Sequence, residues 1–307
     1  MSKIRYIDTA TISGQISPNC LNRCRILTLS REVVTLQWSA STKGYTKQGL
    51  NQMQAYSEAF ARVYNARWSA FARRIAPIIY EYCEGTGICL NDKPILDLCC
   101  GTGQLAAYFL QHNCSIVGID LSPHMLKYAN ENVREYVLSG RARLVQGDAS
   151  NFTVDEKCSL AVSTFDSLNH LVDEVALERC FRCVHSVCDG PFIFDFNTPK
   201  GVRASTMMQV DDSSDELLLV LQGVYDTGGQ RACLRFFGCA GMDGTHLRFD
   251  ETVYSQAFKL ETVMELLASA GWGHSHFAHI NNLRTVLSID EAGDQSRIFV
   301  VATNKGK

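Results

Sequence analysis

The sequence predicts an α/β fold with a mostly parallel sheet, and three observations carry that prediction. Short apolar runs alternate with amphipathic ones between residues 95 and 196, the turn Gly101-Thr102-Gly103 joins the first run to a helix, and the next run ends in an acid, Asp120. Alternation of this kind pairs strands in parallel through crossover helices. Ligands of such open sheets bind beyond the carboxyl ends of the strands.

Taken in order, residues 1–50 stand apart: partial alternation over 24–39 suggests a β-hairpin, and the polar, glycine-punctuated stretch 41–49 a linker. Residues 52–83 read as helix, with Phe60, Val63, Tyr64, Trp68, Phe71 and Ile75 at three- and four-residue intervals and Pro77 expected to break or kink it. Strand signals follow at 95–98, 115–119, 143–146, 160–163 and 192–196, with helices at 104–112, 123–137 and 175–187. Alternation stops over 197–250, where apolar runs at 217–225, 232–237 and 246–254 are separated by Asp226-Thr-Gly-Gly229 and Gly241-Met-Asp-Gly244. Three or more antiparallel strands fit best. Residues 258–270 form an amphipathic helix ended by Gly271, and 297–303 a final strand, expected at the sheet edge.

This arrangement brings Asp97, Asp120, Asp148, Ser163 and Asp195 to one rim of the sheet. Gly101 and Gly103 permit positive φ and close backbone approach to a ligand, and the helix that follows turns its unpaired N–H groups toward it. Asp120, at the end of the next strand, is positioned to accept from both hydroxyls of a ribose. Two nucleoside cofactors suit such a turn, because Gly101-Thr-Gly103-Gln-Leu-Ala106 also satisfies the loosened dinucleotide fingerprint. Asp97 argues against a dinucleotide, whose pyrophosphate would meet its carboxylate; S-adenosylmethionine instead brings an ammonium.

Leu96-Asp-Leu-Cys-Cys-Gly-Thr-Gly103 resembles the first motif of the class I S-adenosylmethionine-dependent methyltransferases, with Cys99 where that family more often has Gly. Gly118-Ile-Asp-Leu-Ser-Pro-His-Met-Leu126 resembles the second, which implies ribose at Asp120 and adenine against Leu121, with Met125 nearby. Gln146-Gly147-Asp148-Ala149 resembles the third, implying that Asp148 accepts from the adenine amino group. Ser163-Thr164-Phe165-Asp166-Ser-Leu-Asn169-His170 resembles the segment lining the methionine moiety and the acceptor. The resemblance covers roughly residues 50–307 and implies a Rossmann-like domain with a mostly parallel seven-stranded sheet, made from 51–196 and 251–307. An antiparallel β insertion at 197–250 would cap the acceptor side, as in small-molecule, sugar-amine type N-methyltransferases, and 1–50 would be an N-terminal extension. Residues 56–65 resemble that group's helical lid, which makes Tyr56 and Tyr64 candidate cofactor contacts; the stripe also reads as plain core, and Arg67 either as a partner of the cofactor carboxylate or, favoured, as a solvated helix arginine. Residues 251–258 resemble the return segment, but Ser255 and Ala257 flank Gln256 where an arginine is common, so a different acceptor pocket is expected.

Methyl transfer by in-line displacement needs alignment, exclusion of water and a deprotonated acceptor. His170 is the leading base, set against a histidine satisfied at a helix start; Asp166, Asn169 and Tyr64 would orient the reactants. Asp195 and Asn197 read either as contacts to the acceptor or methionine amine, or as part of a turn-forming Asp-Phe-Asn-Thr-Pro.

With 307 residues, 46% hydrophobic, and a formal charge of -3, the chain shows no basic excess, so a small-molecule acceptor is favoured over nucleic acid. No apolar run reaches transmembrane length and the start lacks a signal-peptide pattern, so no membrane association is expected. Thirteen scattered cysteines without a disulfide framework or paired zinc spacing suggest buried free thiols in the cytoplasm and no metal. A homodimer is left open, as are an NAD(P)-dependent oxidoreductase and a non-catalytic cofactor-binding regulator.

Overall fold

The computed structural model describes residues 5–7, 56–205, 208–214, 217–242 and 245–304. The hairpin and linker expected at 24–39 and 41–49 lie outside the described residues, as does the start of the helix expected over 52–83. In chain order, β1 (Arg5–Ile7) precedes the helices α1 (Glu58–Arg67) and α2 (Ser69–Gly85). Next come β2 (Ile95–Leu98), α3 (Gln104–Gln111), β3 (Ile116–Asp120), α4 (Pro123–Asn132), α5 (Arg134–Leu138), β4 (Ala142–Gln146) and β5 (Leu160–Ser163). A 3-10 turn (Ser167–His170) leads to α6 (Glu174–Val187), β6 (Phe192–Asn197) and α7 (Pro199–Ala204). Four long strands follow: β7 (Met208–Ser214), β8 (Leu217–Asp226), β9 (Arg231–Met242) and β10 (Thr245–Gln256). The chain then forms α8 (Leu260–Ser269), β11 (His274–His279), β12 (Asn282–Leu287), α9 (Ile289–Asp294) and β13 (Arg297–Thr303).

The main sheet runs β12-β11-β13-β6-β5-β2-β3-β4, parallel from β6 to β4 and antiparallel at β13, β11 and β12. It contains the seven strands expected, with β12 folded back on β11 as an eighth. Its faces are sorted by strand alternation. Leu96, Leu98, Phe192, Phe194, Phe196, Ile298 and Val300 pack under α6 and α8 against Leu177, Phe181, Val263 and Leu267. Ile95, Ile116, Val162, Ile193, Phe299 and Val301 pack under α2 and α3 against Ile75, Ile79, Phe109 and Leu110. A sheet covered on both faces requires such two-sided apolar strands.

The second sheet, β1-β7-β8-β9-β10, is antiparallel throughout, as the hairpin turns anticipated. Among the described residues no helix is long and apolar enough to cross a membrane, and the described cysteines are free thiols, most of them buried.

Two local expectations are corrected. The helix of residues 52–83 is interrupted at Trp68 (φ -102, ψ 11), whose ring packs on Phe60, Tyr64 and Phe236, whereas Pro77 sits inside α2. A proline there removes one backbone bond, to the Arg73 carbonyl, and the apolar face of α2 holds the helix together regardless. Nor is β13 an edge strand: it lies between β6 and β11, with Ile298 to Ala302 fully buried. Its unbroken apolar run suits an interior strand. Phe299→Ala is therefore expected to cost about 3–5 kcal/mol, the range for an aromatic core truncation, with an unchanged m-value in urea unfolding. An edge position would have tolerated the same change with far less loss.

Candidate active site

Beyond the carboxyl end of β2 the chain turns through three left-handed residues, Cys99 (φ 59), Gly101 (φ 55) and Gly103 (φ 76), the last serving as N-cap of α3. Cys99 carries a Cβ in a conformation that costs an L-residue roughly 1–2 kcal/mol, which explains why glycine suits this position. At Gly103 a Cβ would stand 3.2 Å from the Cα and Cβ of Ala129, so glycine lets α3 and α4 touch. Tyr64 lies over the turn, its ring 3.6 Å from where a Gly101 Cβ would be.

Asp120 ties this turn to the next one. Its Oδ2 accepts from the Gly101 N–H and its Oδ1 from the Ser122 N–H, both at 2.8 Å. Each carboxylate oxygen still has acceptor capacity. Burial pushes the Asp120 carboxyl above its usual range, opposed by these backbone donors. One strand away, Asp97 is almost completely buried and its Oδ2 has no hydrogen-bond partner in the protein. Burial, reinforced by the charge of Asp120, pushes its carboxyl up to about 8. The buried Ser163 Oγ, at the end of β5, is likewise unpartnered.

On the far side, Asp148 Oδ1 accepts from the Ser150 N–H at 2.8 Å and from its hydroxyl at 2.9 Å, a tight Asx turn. Gly147 donates to the Asp120 carbonyl at 3.0 Å, and Ala149 is buried beside it. Leu121 is half-buried, while Met125 is buried with Phe60 and Val63 under the lid.

Asp195 organises the opposite wall. Its carboxylate, fully buried at the end portion of β6, accepts from the backbone N–H groups of Phe165 and, at 3.0 Å, Asp166. Both residues are left-handed (φ 68 and 49) although neither is glycine, a strain that persists only where the surroundings impose it. Burial pushes the Asp195 carboxyl up to about 6, against Arg297 and the two backbone donors. Arg297 stands 3.1 Å from Asp195 Oδ2, donates to Asp166 Oδ1 at 2.6 Å and to Asn197 Oδ1 at 3.0 Å, and stacks against Phe71 and Phe165. Asn197 Nδ2 closes the ring by donating to Asp166 Oδ2 at 2.7 Å.

Asp166, Asp195 and Asn197 are thus brought together, but by Arg297, a residue the sequence reading treated only as the start of an edge strand. The available signal was a single arginine opening an otherwise apolar run. Asn169, expected on the acceptor side, is fully buried and its amide is committed: Nδ2 donates to the carbonyls of Asn197 and Gln256, and Oδ1 accepts from the Asn197 N–H, all at 2.9 Å. It joins β6 to β10 instead of facing a ligand. His170 donates from Nδ1 to the Tyr254 carbonyl at 2.8 Å. A carbonyl can only accept, so in the neutral ring Nε2 carries the lone pair. The Thr164 carbonyl accepts from Ser167 Oγ at 2.8 Å, securing the same loop.

The residues from Tyr56 through α1 cover these groups. The Tyr56 carbonyl accepts from Ser122 Oγ at 2.9 Å, its ring stacks on Phe60 at 4.6 Å, and Tyr64 meets Phe165 edge-on at 5.8 Å. Burial, with the surrounding carboxylates Asp166 and Asp120, pushes both phenols above their ordinary range. Both therefore stay protonated as donors. Arg67 closes the last turn of α1. An acid with an orphaned oxygen, a buried unpartnered hydroxyl and a second acid on a glycine turn suit a ligand that carries an ammonium and a ribose.

Residues 95–189 match the family described as Methyltransferase domain. A protein of Geobacillus sp. strain WCH70 named as a methyltransferase is 27% identical over 225 residues, covering 68% of this chain and 84% of the relative. The crystal structure of an S-adenosylmethionine-dependent methyltransferase from Clostridium acetobutylicum ATCC 824 superposes with a TM-score of 0.69 at 23% identity, covering 80% of this chain and 98% of the other. The sugar N-methyltransferase of Streptoalloteichus sp. ATCC 53650 gives a TM-score of 0.65 at 18% identity over 82% and 95% of the two chains. At these identities the superpositions speak for the fold, and the domain match for the chemistry; the dinucleotide reading is set aside with them. Residues 95–189 thus carry a methyltransferase domain, and the chain has the fold of the S-adenosylmethionine-dependent methyltransferases on which it superposes.

Proposed function

We propose that the protein methylates a nitrogen of a small-molecule amine. The observation that carries this reading is the charge of the site: Asp120, Asp166, Asp195 and Glu251 lie around Tyr56 and Tyr64, and Arg297 is already shared between Asp166 and Asp195. Such surroundings suit a sulfonium and an amine and repel an anionic acceptor. Likeness in fold to a sugar N-methyltransferase points the same way.

When bound, S-adenosylmethionine supplies an electrophilic methyl group on a sulfonium. In this assignment the Asp97 carboxylate and Ser163 hydroxyl take the methionine ammonium, with Cys99, Gly101 and Gly103 presenting backbone to that moiety. Asp120 takes the ribose hydroxyls, while Leu121, Met125, Gly147, Asp148 and Ala149 border the adenine. Thr164 and Phe165 complete the wall, and Tyr56 and Tyr64 cover it and exclude water. His170 Nε2 receives the proton that the acceptor amine must shed, its ring fixed by the Tyr254 carbonyl. Asp166, held by Arg297, and Tyr64, a donor, align the acceptor.

Three outcomes test these roles. A protonated Asp97 must ionise to meet an ammonium, so cofactor affinity should rise between pH 5 and 8. Binding at pH 7 should release roughly one proton, read by calorimetry in buffers of different ionisation enthalpy. Asp97→Asn should abolish that release; none in the wild type would remove the assignment. His170→Ala should lower kcat by about 10²–10⁴-fold in an assay of S-adenosylhomocysteine formed from an amine panel. Its affinity for S-adenosylhomocysteine should persist, and an unaltered kcat would take the base away from His170. Arg297→Met leaves two carboxylates facing each other without their cation, and should cost about 3–5 kcal/mol in denaturant unfolding at pH 7. Because protonation relieves that repulsion, the deficit should shrink as pH falls through about 6, the raised value of Asp195.

A further inference from the structure

Strand alternation sends Phe249, Glu251, Val253 and Ser255 of β10 to the same face of the second sheet. Cross-strand pairing continues that face: Glu251 lies opposite Phe236, which lies opposite Leu221, and Val253 lies opposite Leu234. The face is apolar and packs on the lid, where Phe236 meets Phe60 at 5.3 Å and Trp68 at 6.0 Å. Glu251 interrupts it. The residue is 6% exposed, and among the described residues no hydrogen bond or ion pair ends on its carboxylate, whose oxygens are not among the fully enclosed unpartnered atoms and so remain accessible to a ligand. Its neighbours on that face, Phe249 and Phe236, share a cluster with Tyr56 and Tyr64, which sets Glu251 near those tyrosines. Ser255, on the same face, is buried with its Oγ unpartnered. It lies between the two carbonyls that hold His170 and Asn169, those of Tyr254 and Gln256.

A largely buried acid without a cation is costly, and a cationic ligand would offset that cost. Leu221, Phe236 and Val253, the apolar neighbours of Glu251, are themselves only half-buried. An acid beside an aromatic ring recognises an alkylammonium twice, by charge and by the ring face.

Resting on the amine-methyltransferase reading, we propose that Glu251 is the specificity residue for the acceptor: a compact amine whose ammonium pairs with Glu251 while its apolar body lies on Phe236, Leu221 and Val253. Asp166 and His170, the latter anchored on the same strand at the Tyr254 carbonyl, complete the acceptor site, so Glu251 selects the charged amine and His170 takes its proton.

The test uses the full chain saturated with S-adenosylhomocysteine, titrated calorimetrically with two matched pairs: cyclohexylamine against cyclohexanol, and 2-phenylethylamine against 2-phenylethanol. The wild type should prefer the amine of at least one pair by about tenfold or more, the scale of one charge-assisted hydrogen bond. Glu251→Gln should erase that preference, keep its affinity for S-adenosylhomocysteine within about twofold, and unfold at a temperature no lower than the wild type, since it removes an unpaired buried charge. No amine preference in either pair, or a preference that survives in Glu251→Gln, would overturn the assignment while leaving the methyltransferase reading intact. Failure of S-adenosylhomocysteine to bind the wild type would instead overturn the cofactor reading beneath it.

Discussion

The site depends on one buried carboxylate. Asp195 takes the backbone N–H groups of two consecutive left-handed residues, Phe165 and Asp166, and without those bonds nothing local would hold either residue there. From that bend follow the direction of the Phe165 ring toward Tyr64 and the seat of Asp166 on Arg297. It also starts the 3-10 turn that delivers Asn169 to β6 and His170 to β10. A single acid in an interior strand thereby ties the loop after β5 to β13, β6 and, through the 3-10 turn, β10.

Much of this was legible because it is local. The glycine turn, Asp120 and Asp97 sit within one strand-turn-helix and the strand beside it, and periodicity fixes which way each points. The hairpin turns of 226–229 and 241–244 announced the antiparallel sheet for the same reason. What escaped was set by long-range pairing. Arg297 reads as the polar margin of a last strand until β13 is seen inserted between β6 and β11, which converts that margin into the centre of the site. Asn169 carries the opposite lesson: a polar residue in a ligand-lining motif spends its whole amide on three backbone groups. Sequence spacing could not reveal this, because its partners lie on β6 and β10. The departure at Cys99 was visible as a residue type, but only the backbone shows that the chain keeps glycine's conformation without glycine.

The lid and the second sheet belong to one construction. Phe60 and Val63 of α1, Met125 of α4 and Leu219 and Phe249 of the antiparallel sheet share a cluster, so the inserted strands press on the helix that covers the cofactor side. A change in the packing of that face of the second sheet is therefore felt directly by α1.

The last strand also orders events in time. Arg297 and Asp166 are 131 residues apart in the chain, and the ion pairs of Asp195 and Asp166 wait on the same arginine. As the polypeptide leaves the ribosome, the sheet from β4 to β6 and both acids are made well before β13 arrives, so until then the two carboxylates have no counter-ion. The strand that closes the gap between β6 and β11 brings that counter-ion with it. The cluster of Asp166, Asp195 and Arg297 is thus completed only when β13 pairs with β6, the same step that seats the five buried side chains of β13 in the core.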